Sequence, residues 1–172
     1  MPLEDPEHSL WYGPPEVAVT PIQKVLCPVD CSEGSKVALE YALFVGNKFG
    51  AKVHVLHAWH VAHHVRPDLS VWMEAHGQQP ISKMIALEAK AETDRFLAAL
   101  DPAVRNELEA HVVEGEPAST IVGFATDHQV DLIVMGTHGR TGVVHLALGS
   151  VAEKVVRHAL CPVLTVRIPK KS

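Results

Sequence analysis

The sequence predicts an α/β protein with a single doubly wound, five-stranded parallel sheet. Strand-like and helix-like segments alternate strictly along most of its 172 residues, and this alternation is typical of parallel strands joined by right-handed crossover helices. The chain is 47% hydrophobic but only 5% aromatic, so its core must be built mainly from aliphatic side chains, as in buried parallel sheets. We therefore expect helices on both faces of the sheet.

Two strands and two helices make up the first half of this pattern. Residues 25–29 form a short apolar run that is typical of a buried strand, and residues 52–58 form a second one. Between them, Ser32 is predicted to cap a helix that Gly50 ends. A second helix is predicted over 81–100. The first helix is marked by apolar residues at helical spacing, namely Val37, Tyr41, Phe44, Val45 and Phe49.

Three strands and two helices complete the pattern. Strands are predicted over 108–113, 131–135 and 163–168, each a short run with β-branched residues. Pro117 suits the first turn of the helix between the first two of these strands. The last helix begins near Gly149. It carries apolar residues on one face, namely Val151, Val155, Val156 and Ala159.

The domain is predicted to span residues 22–169. Residues 1–21 contain five prolines and no periodicity, so we interpret them as an irregular arm and residues 170–172 as a tail. Residues 60–80 form an irregular, histidine-rich loop insertion. The first lysine or arginine is Lys24, which argues against a secretory signal or a mitochondrial presequence. No apolar run is long enough to span a membrane, and we expect a cytoplasmic protein.

Charge and cysteine content narrow the function further. The net charge of −5 argues against bulk binding to nucleic acid, which normally needs a basic surface. Cys27, Cys31 and Cys161 are odd in number, and the spacing of the first two matches neither zinc nor redox patterns. Cytosolic thiols of this kind are usually reduced, so we expect free, inert cysteines.

Spaced glycines follow the fourth predicted strand. Gly136, Gly139 and Gly149 punctuate the connection to the last helix, and Ser150 follows the third of them. Such a connection gathers free backbone N–H groups at the positive end of a helix, which is a site for phosphate. Glycine lets an anion approach the backbone closely. The alternatives are a tight turn without ligand and a serine that simply caps the helix.

Asp30 ends the first predicted strand. If the first and fourth strands are neighbours where the winding reverses, its carboxylate faces the same crevice as the glycine loop. Alternatively, it serves as a helix cap or as a turn carboxylate. A Walker A loop and the dinucleotide-binding fingerprint are both absent from the sequence.

These residues resemble the signature of the universal stress protein family, and more specifically of its ATP-binding branch. The resemblance rests on Gly136-x-x-Gly139-x(9)-Gly149-Ser150. Supporting matches are Val29-Asp30-x-Ser32, Gly115-Glu116-Pro117 and Cys161-Pro162-Val163-Leu164. The resemblance implies an adenine nucleotide alpha-hydrolase-like fold with strand order 3-2-1-4-5. It also implies a homodimer formed through the last strand, Val163–Ile168.

The resemblance assigns residues to the base and the sugar of a bound nucleotide. Val29 would line the adenine pocket, and Ala58 would meet the adenine edge through its backbone. Met135 and Gly136 would flank the base and the ribose. Asp30 would bind the ribose hydroxyls or a water of bound Mg²⁺.

The resemblance assigns a second group of residues to the phosphates. Gly139, Gly149, Ser150 and Val151 would hold them. Arg140, the only cation of the glycine loop, would either reach a phosphate or stay in solvent.

The function that follows is an ATP-binding protein with a regulatory or stress-response role and a nucleotide-dependent conformation. Its cofactor would be ATP, ADP or AMP, with or without Mg²⁺. No lysine lies in the glycine loop, so slow hydrolysis is allowed but efficient phosphoryl transfer is not predicted. One alternative is a slow ATPase or nucleotidyl-transfer enzyme. Another is a nucleotide-independent dimer that senses metal or pH through His60, His63 and His64.

Overall fold

A computed structural model describes residues 21–61, 69–73, 77–137 and 148–167. The elements are, in chain order, β1 (Lys24–Pro28), α1 (Glu33–Phe49), β2 (Lys52–Trp59), β3 (Ser70–Met73), β4 (Gly77–Pro80), α2 (Ile81–Ala98), α3 (Pro102–Asn106), β5 (Glu109–Glu114), α4 (Pro117–Asp127), β6 (Leu132–Gly136), α5 (Ser150–His158) and β7 (Val163–Val166). Five of these strands form one sheet in the order β5-β2-β1-β6-β7, and all neighbours in it are parallel.

The predicted fold class and strand order are confirmed. β1 lies at the centre of the sheet, between β2 and β6, and β5 and β7 lie at the two ends of the strand order. The chain winds outward from β1 through β2 to β5, and then returns to β6 and β7 on the other side. The winding direction therefore reverses between β1 and β6, which is the place where doubly wound sheets leave a crevice.

Alternate residues of the central strands point to opposite faces and build two cores. Val25, Cys27 and Val55 pack against α1 and α2 on one face. Leu26 and Leu56 pack against α4 and α5 on the other. All five are completely buried. The strands are thus apolar without alternation, as expected for a parallel sheet covered on both faces.

Small residues let α1 lie close to the sheet. Ala38 and Ala42 are buried in its packed face. A Cβ added at Gly46 would stand 2.6 Å from Val53 Cγ2 on β2. Of the residues that mark this helix in the sequence, Val37 and Val45 are partly buried against this core, whereas the aromatic ones are exposed. Three aromatic residues are 51%, 67% and 59% exposed: Tyr41, Phe44 and Phe49.

The ends of the helices follow the predicted capping. Ser32 is the N-cap of α1, and its hydroxyl oxygen accepts a hydrogen bond of 3.3 Å from the backbone N–H of Ser35. Gly50 ends α1 in the left-handed region, with φ of 67°. Pro117 is the first residue of α4, as predicted, and the Glu116 side chain caps that helix.

Two short features differ from the prediction. Within 60–80, which we expect to be irregular, β3 and β4 form an antiparallel hairpin that pairs Ser70 with Pro80. β4 reads Gly-Gln-Gln-Pro and carries no β-branched or aromatic residue, so its sequence gives no strand signal. The other feature is α3, a five-residue helix capped by Asp101 Oδ1, which accepts from Ala103 N at 2.8 Å.

No helix in the part of the chain that the structure describes is long and apolar enough to cross a membrane. The predicted arm over 1–21 lies outside the described residues except for its last residue, and the tail over 170–172 lies outside them entirely. The domain boundaries therefore stay predictions.

Candidate functional site

A cavity of about 500 Å³ opens at the carboxyl ends of β1 and β6, where the winding of the sheet reverses. Ligands of doubly wound sheets bind at this position, and a cavity of this volume holds a small molecule or a cofactor. The described residues that line it are Pro28, Val29, Asp30, Ser35, Leu56, Ala58, His60, Pro117, Ile121, Met135, Gly136, Thr137, Gly149, Ser150, Val151 and Ala152.

The turn after β1 forms one polar wall of the cavity. Asp30 Oδ1 accepts hydrogen bonds from the backbone N–H of Ser32 at 3.1 Å, from the Ser32 hydroxyl at 2.5 Å and from the Ser35 hydroxyl. The backbone N–H of Asp30 donates to Ser35 Oγ at 2.9 Å. Asp30 therefore has the turn-carboxylate role considered for it, and these bonds also fix the orientation of a carboxylate that lines the cavity.

The start of α5 forms the opposite wall. Gly149 is the N-cap, and no side-chain hydrogen bond within the described residues caps this end. Gly149 N donates to Thr137 O at 2.7 Å, which ties the helix start to the end of β6. Ser150 is the first helical residue, so the capping role considered for it is wrong. The first N–H groups of a helix have no intrahelical acceptor and carry its positive dipole end, so this wall suits an anion.

The floor between the two walls is apolar. Val29, Leu56, Ile121 and Met135 line the cavity and belong to the two hydrophobic cores. Ala58, near the end of β2, adds a half-buried methyl group. An uncharged ring can replace water on such a floor at little cost, whereas a charged group would lose its solvation there.

The structure gathers eight of the ten predicted nucleotide-site residues around this cavity. They are Val29, Asp30, Ala58, Met135, Gly136, Gly149, Ser150 and Val151. Gly139 and Arg140 lie outside the described residues. The nucleotide contacts that the resemblance implies for all ten residues stay predictions.

The sequence prediction misses several polar lining residues, among them Ser35, His60 and Thr137. Thr137 directly follows Gly136, and Ser35 lies in the first turn of α1. Their nearness to the carboxyl ends of β6 and β1 is a signal that could have indicated them. His60, just past the end of β2, was considered as a metal ligand or a pH sensor and not as part of the nucleotide site.

The two histidines of β2 point to opposite faces, as predicted, and each is only 6% exposed. His57 Nδ1 lies 2.7 Å from the hydroxyl oxygen of Thr93 in α2. His54 Nδ1 lies 3.3 Å from His111 Nε2 in β5. At least one nitrogen of each buried imidazole therefore contacts a polar group on its own face of the sheet.

Two groups of potential metal ligands occur within the described residues. The edge histidine cluster consists of His54, Glu109 and His111, and the Cys31 cluster consists of Cys31, His57 and Glu92. In each cluster the ligand atoms all lie within 4.8 Å of one another. Of the ligands predicted from the sequence, His60 lines the cavity, whereas His63 and His64 lie outside the described residues, so that metal site stays a prediction.

All three cysteines are free, as predicted. Burial raises the pKa of the thiols of Cys27 and Cys161, so both are poor nucleophiles at neutral pH. Cys31 differs from them because it lies in a cluster with an imidazole and a carboxylate.

The fold and the cavity together define an α/β domain of the doubly wound class with a crevice at its topological switch point. A comparison with family models then identifies the family. The model described as the universal stress protein family matches residues 21–167. The chain belongs to the universal stress protein family.

Relatives of known sequence and structure agree with this assignment. Universal stress protein MJ0531 of Methanocaldococcus jannaschii is 34% identical over 149 residues, which cover 87% of this chain and 84% of that protein. The solved structure of the hypothetical protein MJ0577 superimposes with a TM-score of 0.67 at 26% identity, covering 88% of this chain and 100% of the other.

Two more distant structures share the fold and were solved with nucleotides. A universal stress protein in complex with cAMP has a TM-score of 0.53 at 24% identity, covering 86% of this chain and 98% of the other. The universal stress protein from Archaeoglobus fulgidus in complex with dAMP has a TM-score of 0.56 at 22% identity, covering 85% and 98%.

Proposed function

We propose that this protein binds ATP in the cavity at the carboxyl ends of β1 and β6, and that the bound nucleotide regulates a stress response. The observation that carries the proposal is the division of the cavity into an apolar floor, a carboxylate wall and a wall of helix N–H groups. Adenine, ribose and phosphates are three groups that require these three environments in this order.

The backbone of β2 offers a specific edge for adenine. Pairing between β2 and β1 ends at Leu56 and Pro28, yet β2 continues to Trp59. Leu56 O accepts from Val29 N at 2.9 Å on the β1 side. Ala58 lies two residues further, so its N–H and C=O point to the same side, beyond the end of that pairing. These groups suit the donor and acceptor edge of adenine, whose ring would lie against Val29 and Met135.

The polar walls suit the remaining parts of the nucleotide. Asp30 would accept hydrogen bonds from the ribose hydroxyls or from a water of bound Mg²⁺. The backbone N–H groups of Ser150 and Val151 would bind phosphate oxygens. Gly139 and Arg140 are part of this proposal through the resemblance alone.

The nucleotide complexes of the two distant relatives support this ligand class. Their ligands, cAMP and dAMP, both contain an adenine and one phosphate. Adenine recognition together with a phosphate is the combination that the floor and the α5 wall of this cavity would provide.

The composition of the walls favours binding over turnover. None of the described lining residues is Lys or Arg, and phosphoryl transfer usually relies on positioned cations. We therefore propose that bound ATP changes the population of conformations that a partner recognises, with hydrolysis slow or absent. A cytoplasmic location belongs to this proposal and rests on the sequence.

Calorimetric titration with ATP and Mg²⁺ tests the site. Gly149 has φ of −72° and ψ of 156°, which any residue adopts, so Gly149→Val adds bulk to the wall without backbone strain. We expect a loss of affinity of at least about tenfold, or about 1.4 kcal/mol.

Gly123→Val is the matched control, because a Cβ there meets no atom within 4 Å. GTP should bind more weakly than ATP, since its base edge reverses donor and acceptor. Equal affinities of the wild type and of Gly149→Val for ATP would contradict the placement of the nucleotide site at the start of α5.

We further propose a homodimer through the last strand, Val163–Ile168. Within the described residues β7 pairs only with β6, and Leu164 is 39% exposed. Unpaired strand edges tend to associate, and two copies related by a two-fold axis would satisfy this one. Light scattering should report a dimer for the wild type and a monomer for Leu164→Lys. A monomeric wild type at micromolar concentration would contradict the proposal.

A further inference from the structure

We propose that the edge histidine cluster, at the β2–β5 edge of the sheet, is a zinc site separate from the nucleotide cavity. The pairing of the two strands builds it. His54 of β2 lies directly opposite Glu109 of β5, and His111 follows two residues later on the same strand. Side chains two residues apart on a strand share a face, so all three project from the same face of the sheet.

The distances within the cluster fit tetrahedral coordination. Zinc binds imidazole nitrogen and carboxylate oxygen at about 2.0 to 2.2 Å, so two ligand atoms on a tetrahedron stand about 3.3 to 3.6 Å apart. His54 Nδ1 lies 3.3 Å from His111 Nε2 and 3.4 Å from Glu109 Oε2. The third pair of ligand atoms lies within 4.8 Å. Two edges of the required tetrahedron are therefore already formed.

Hydrogen bonding alone satisfies this cluster poorly. If neutral His54 holds its proton on Nδ1, that proton can be shared between His111 Nε2 and Glu109 Oε2, and Nε2 is left as a buried acceptor without a partner among the described residues. If the proton sits on Nε2 instead, it is this N–H that lacks an acceptor, and His111 Nε2 must carry the proton that links the two rings. In this second tautomer His54 Nδ1 can bind a cation, so a metal ion accounts for the close approach of the three ligand atoms and not for the unpartnered Nε2.

The groups around the cluster set the correct protonation states. Burial lowers the pKa of His54 and of His111, so both imidazoles are neutral near pH 7, which is the form that binds metal. The Lys52 ammonium donates to Glu109 Oε1 at 3.2 Å. This bond, followed by the nearby His54, lowers the pKa of Glu109 and leaves Oε2 directed at the cluster.

Two other positive or titratable groups face the cluster. Lys24 donates to His128 O at 2.8 Å, and His128 Nδ1 lies 3.0 Å from Phe124 O, so each already has a backbone partner at the C-terminal end of α4. The Phe124 ring stacks on His128 at 3.8 Å and lies 4.7 Å from His111. It shields the cluster on the α4 side, whereas the half-exposed Glu109 leaves the strand edge open to a water as fourth ligand.

The ligand set favours zinc over Mg²⁺ and Ca²⁺. Two imidazoles and one carboxylate form a three-ligand zinc site with an open position, whereas Mg²⁺ and Ca²⁺ take oxygen ligands. The cluster contains no sulfur, which distinguishes it from the Cys31 cluster. A bound ion would link the edge strand β5 to β2 and stabilise that edge.

The test uses the untagged full chain with Zn²⁺ or Co²⁺ as the only added ligand. NMR of the histidine ring protons should show His54 and His111 shifting with the first equivalent of Zn²⁺ while His57 does not move. Calorimetry should show a weaker first site in Glu109→Gln and in His111→Gln. Since loss of even an outer partner of a metal ligand costs about 10- to 100-fold in affinity, we expect at least about tenfold. Both positions are partly exposed, and circular dichroism melts verify that the variants fold.

Matched controls separate this site from others. Glu114→Gln, at the other end of β5, and His158→Gln, at the end of α5, should keep the wild-type affinity. Bound Co²⁺ should lack the sulfur-to-cobalt charge-transfer band that the Cys31 cluster would produce. Three results would each overturn the proposal: unchanged affinity in both Glu109→Gln and His111→Gln, a first site lost in Cys31→Ser, or Zn²⁺ shifts confined to other histidines.

Discussion

The two buried histidines of β2, one on each face of the sheet, have different hydrogen-bonding environments. His57, on the face covered by α1 and α2, meets Thr93 at 2.7 Å, and the Thr93 hydroxyl donates on to Ala89 O at 2.8 Å. His54, on the face covered by α4, is equally buried, and its Nε2 has no hydrogen-bond partner among the described residues. Its Nδ1 lies 3.3 Å from His111 Nε2 and 3.4 Å from Glu109 Oε2. The first arrangement is closed by a chain of hydrogen bonds, whereas the second brings three potential ligand atoms together. This difference indicates a structural role for His57 and Thr93 and a ligand role for the edge histidine cluster.

The largest effect on stability should come from a substitution that disturbs the close packing of α1 on the sheet. Gly46→Ala places a methyl group 2.6 Å from Val53 Cγ2, and overpacking of this kind costs about 1 to 3 kcal/mol. Gly123→Ala in α4 meets open space and should stabilise by about 0.5 to 1 kcal/mol through helix propensity. Urea denaturation measures both. Equal effects would show that the two faces are packed alike.

Thr93→Val should break the complete arrangement around His57. Because Thr93 Oγ1 donates to Ala89 O, it accepts from His57 Nδ1–H, and valine leaves that N–H buried without a partner. The expected loss of unfolding free energy is about 1 to 3 kcal/mol. Thr126 makes the same bond to the carbonyl four residues back but is exposed. Thr126→Val should change stability by less than about 0.5 kcal/mol, and a loss as large as that of Thr93→Val would refute the account of His57.

The free energy of unfolding of the metal-free protein should fall on acidification because of the two histidines His54 and His111 on the face covered by α4. Burial lowers the pKa of His54 and of His111 below their ordinary value of 6.5, although Glu109 opposes this. The unfolded chain therefore takes up protons first as the pH falls below about 6.5, and the free energy of unfolding decreases until the folded pKa is passed. Chemical denaturation between pH 7.5 and 5 measures the slope. A double variant, His54→Leu with His111→Gln, should flatten it, and an unchanged slope would assign the effect to other groups.

The smallest effect should come from replacing His54, whose Nε2 has no hydrogen-bond partner among the described residues. Its Nδ1 contacts are with the half-buried His111 and the exposed Glu109, and water can replace them at the strand edge. His54→Leu in metal-free protein should therefore change the unfolding free energy by less than about 1 kcal/mol. The same variant should abolish the stabilisation that Zn²⁺ confers on the wild type. A metal-independent loss of several kcal/mol would mean that His54 is structural after all.

Some site residues could be predicted from the sequence and others could not, and the two groups differ in what brings their partners close. Asp30 and Gly149 could be predicted because each lies at a strand or helix end, and parallel topology alone brings such ends to one edge of the sheet. The buried face of α1 was predicted only in part: Val37 and Val45 pack against the core, but the close approach of Gly46 to β2 cannot be inferred from the helix pattern alone. The hairpin of β3 and β4 gives no propensity signal.

The edge histidine cluster could not be predicted without the register between β2 and β5. His54 and His111 are 57 residues apart, and only the pairing of His54 with Glu109 brings the three ligands together. Periodicity correctly separated His54 from His57, but it could not identify their partners. The sequence therefore offered, as one alternative, a histidine site in the insertion built from neighbours along the chain, whereas the edge histidine cluster is assembled across the sheet.

The central claim is that the crevice between β1 and β6 is built for an adenine nucleotide, and a crystal structure of the chain grown with excess ATP and Mg²⁺ tests it most directly. We predict the adenine against Val29 and Met135, its edge at the backbone of Ala58, and phosphate oxygens within hydrogen-bonding distance of the N–H groups that begin α5. Well-ordered crystals with an open crevice that holds only solvent, or with ATP bound elsewhere on the surface, would contradict the account.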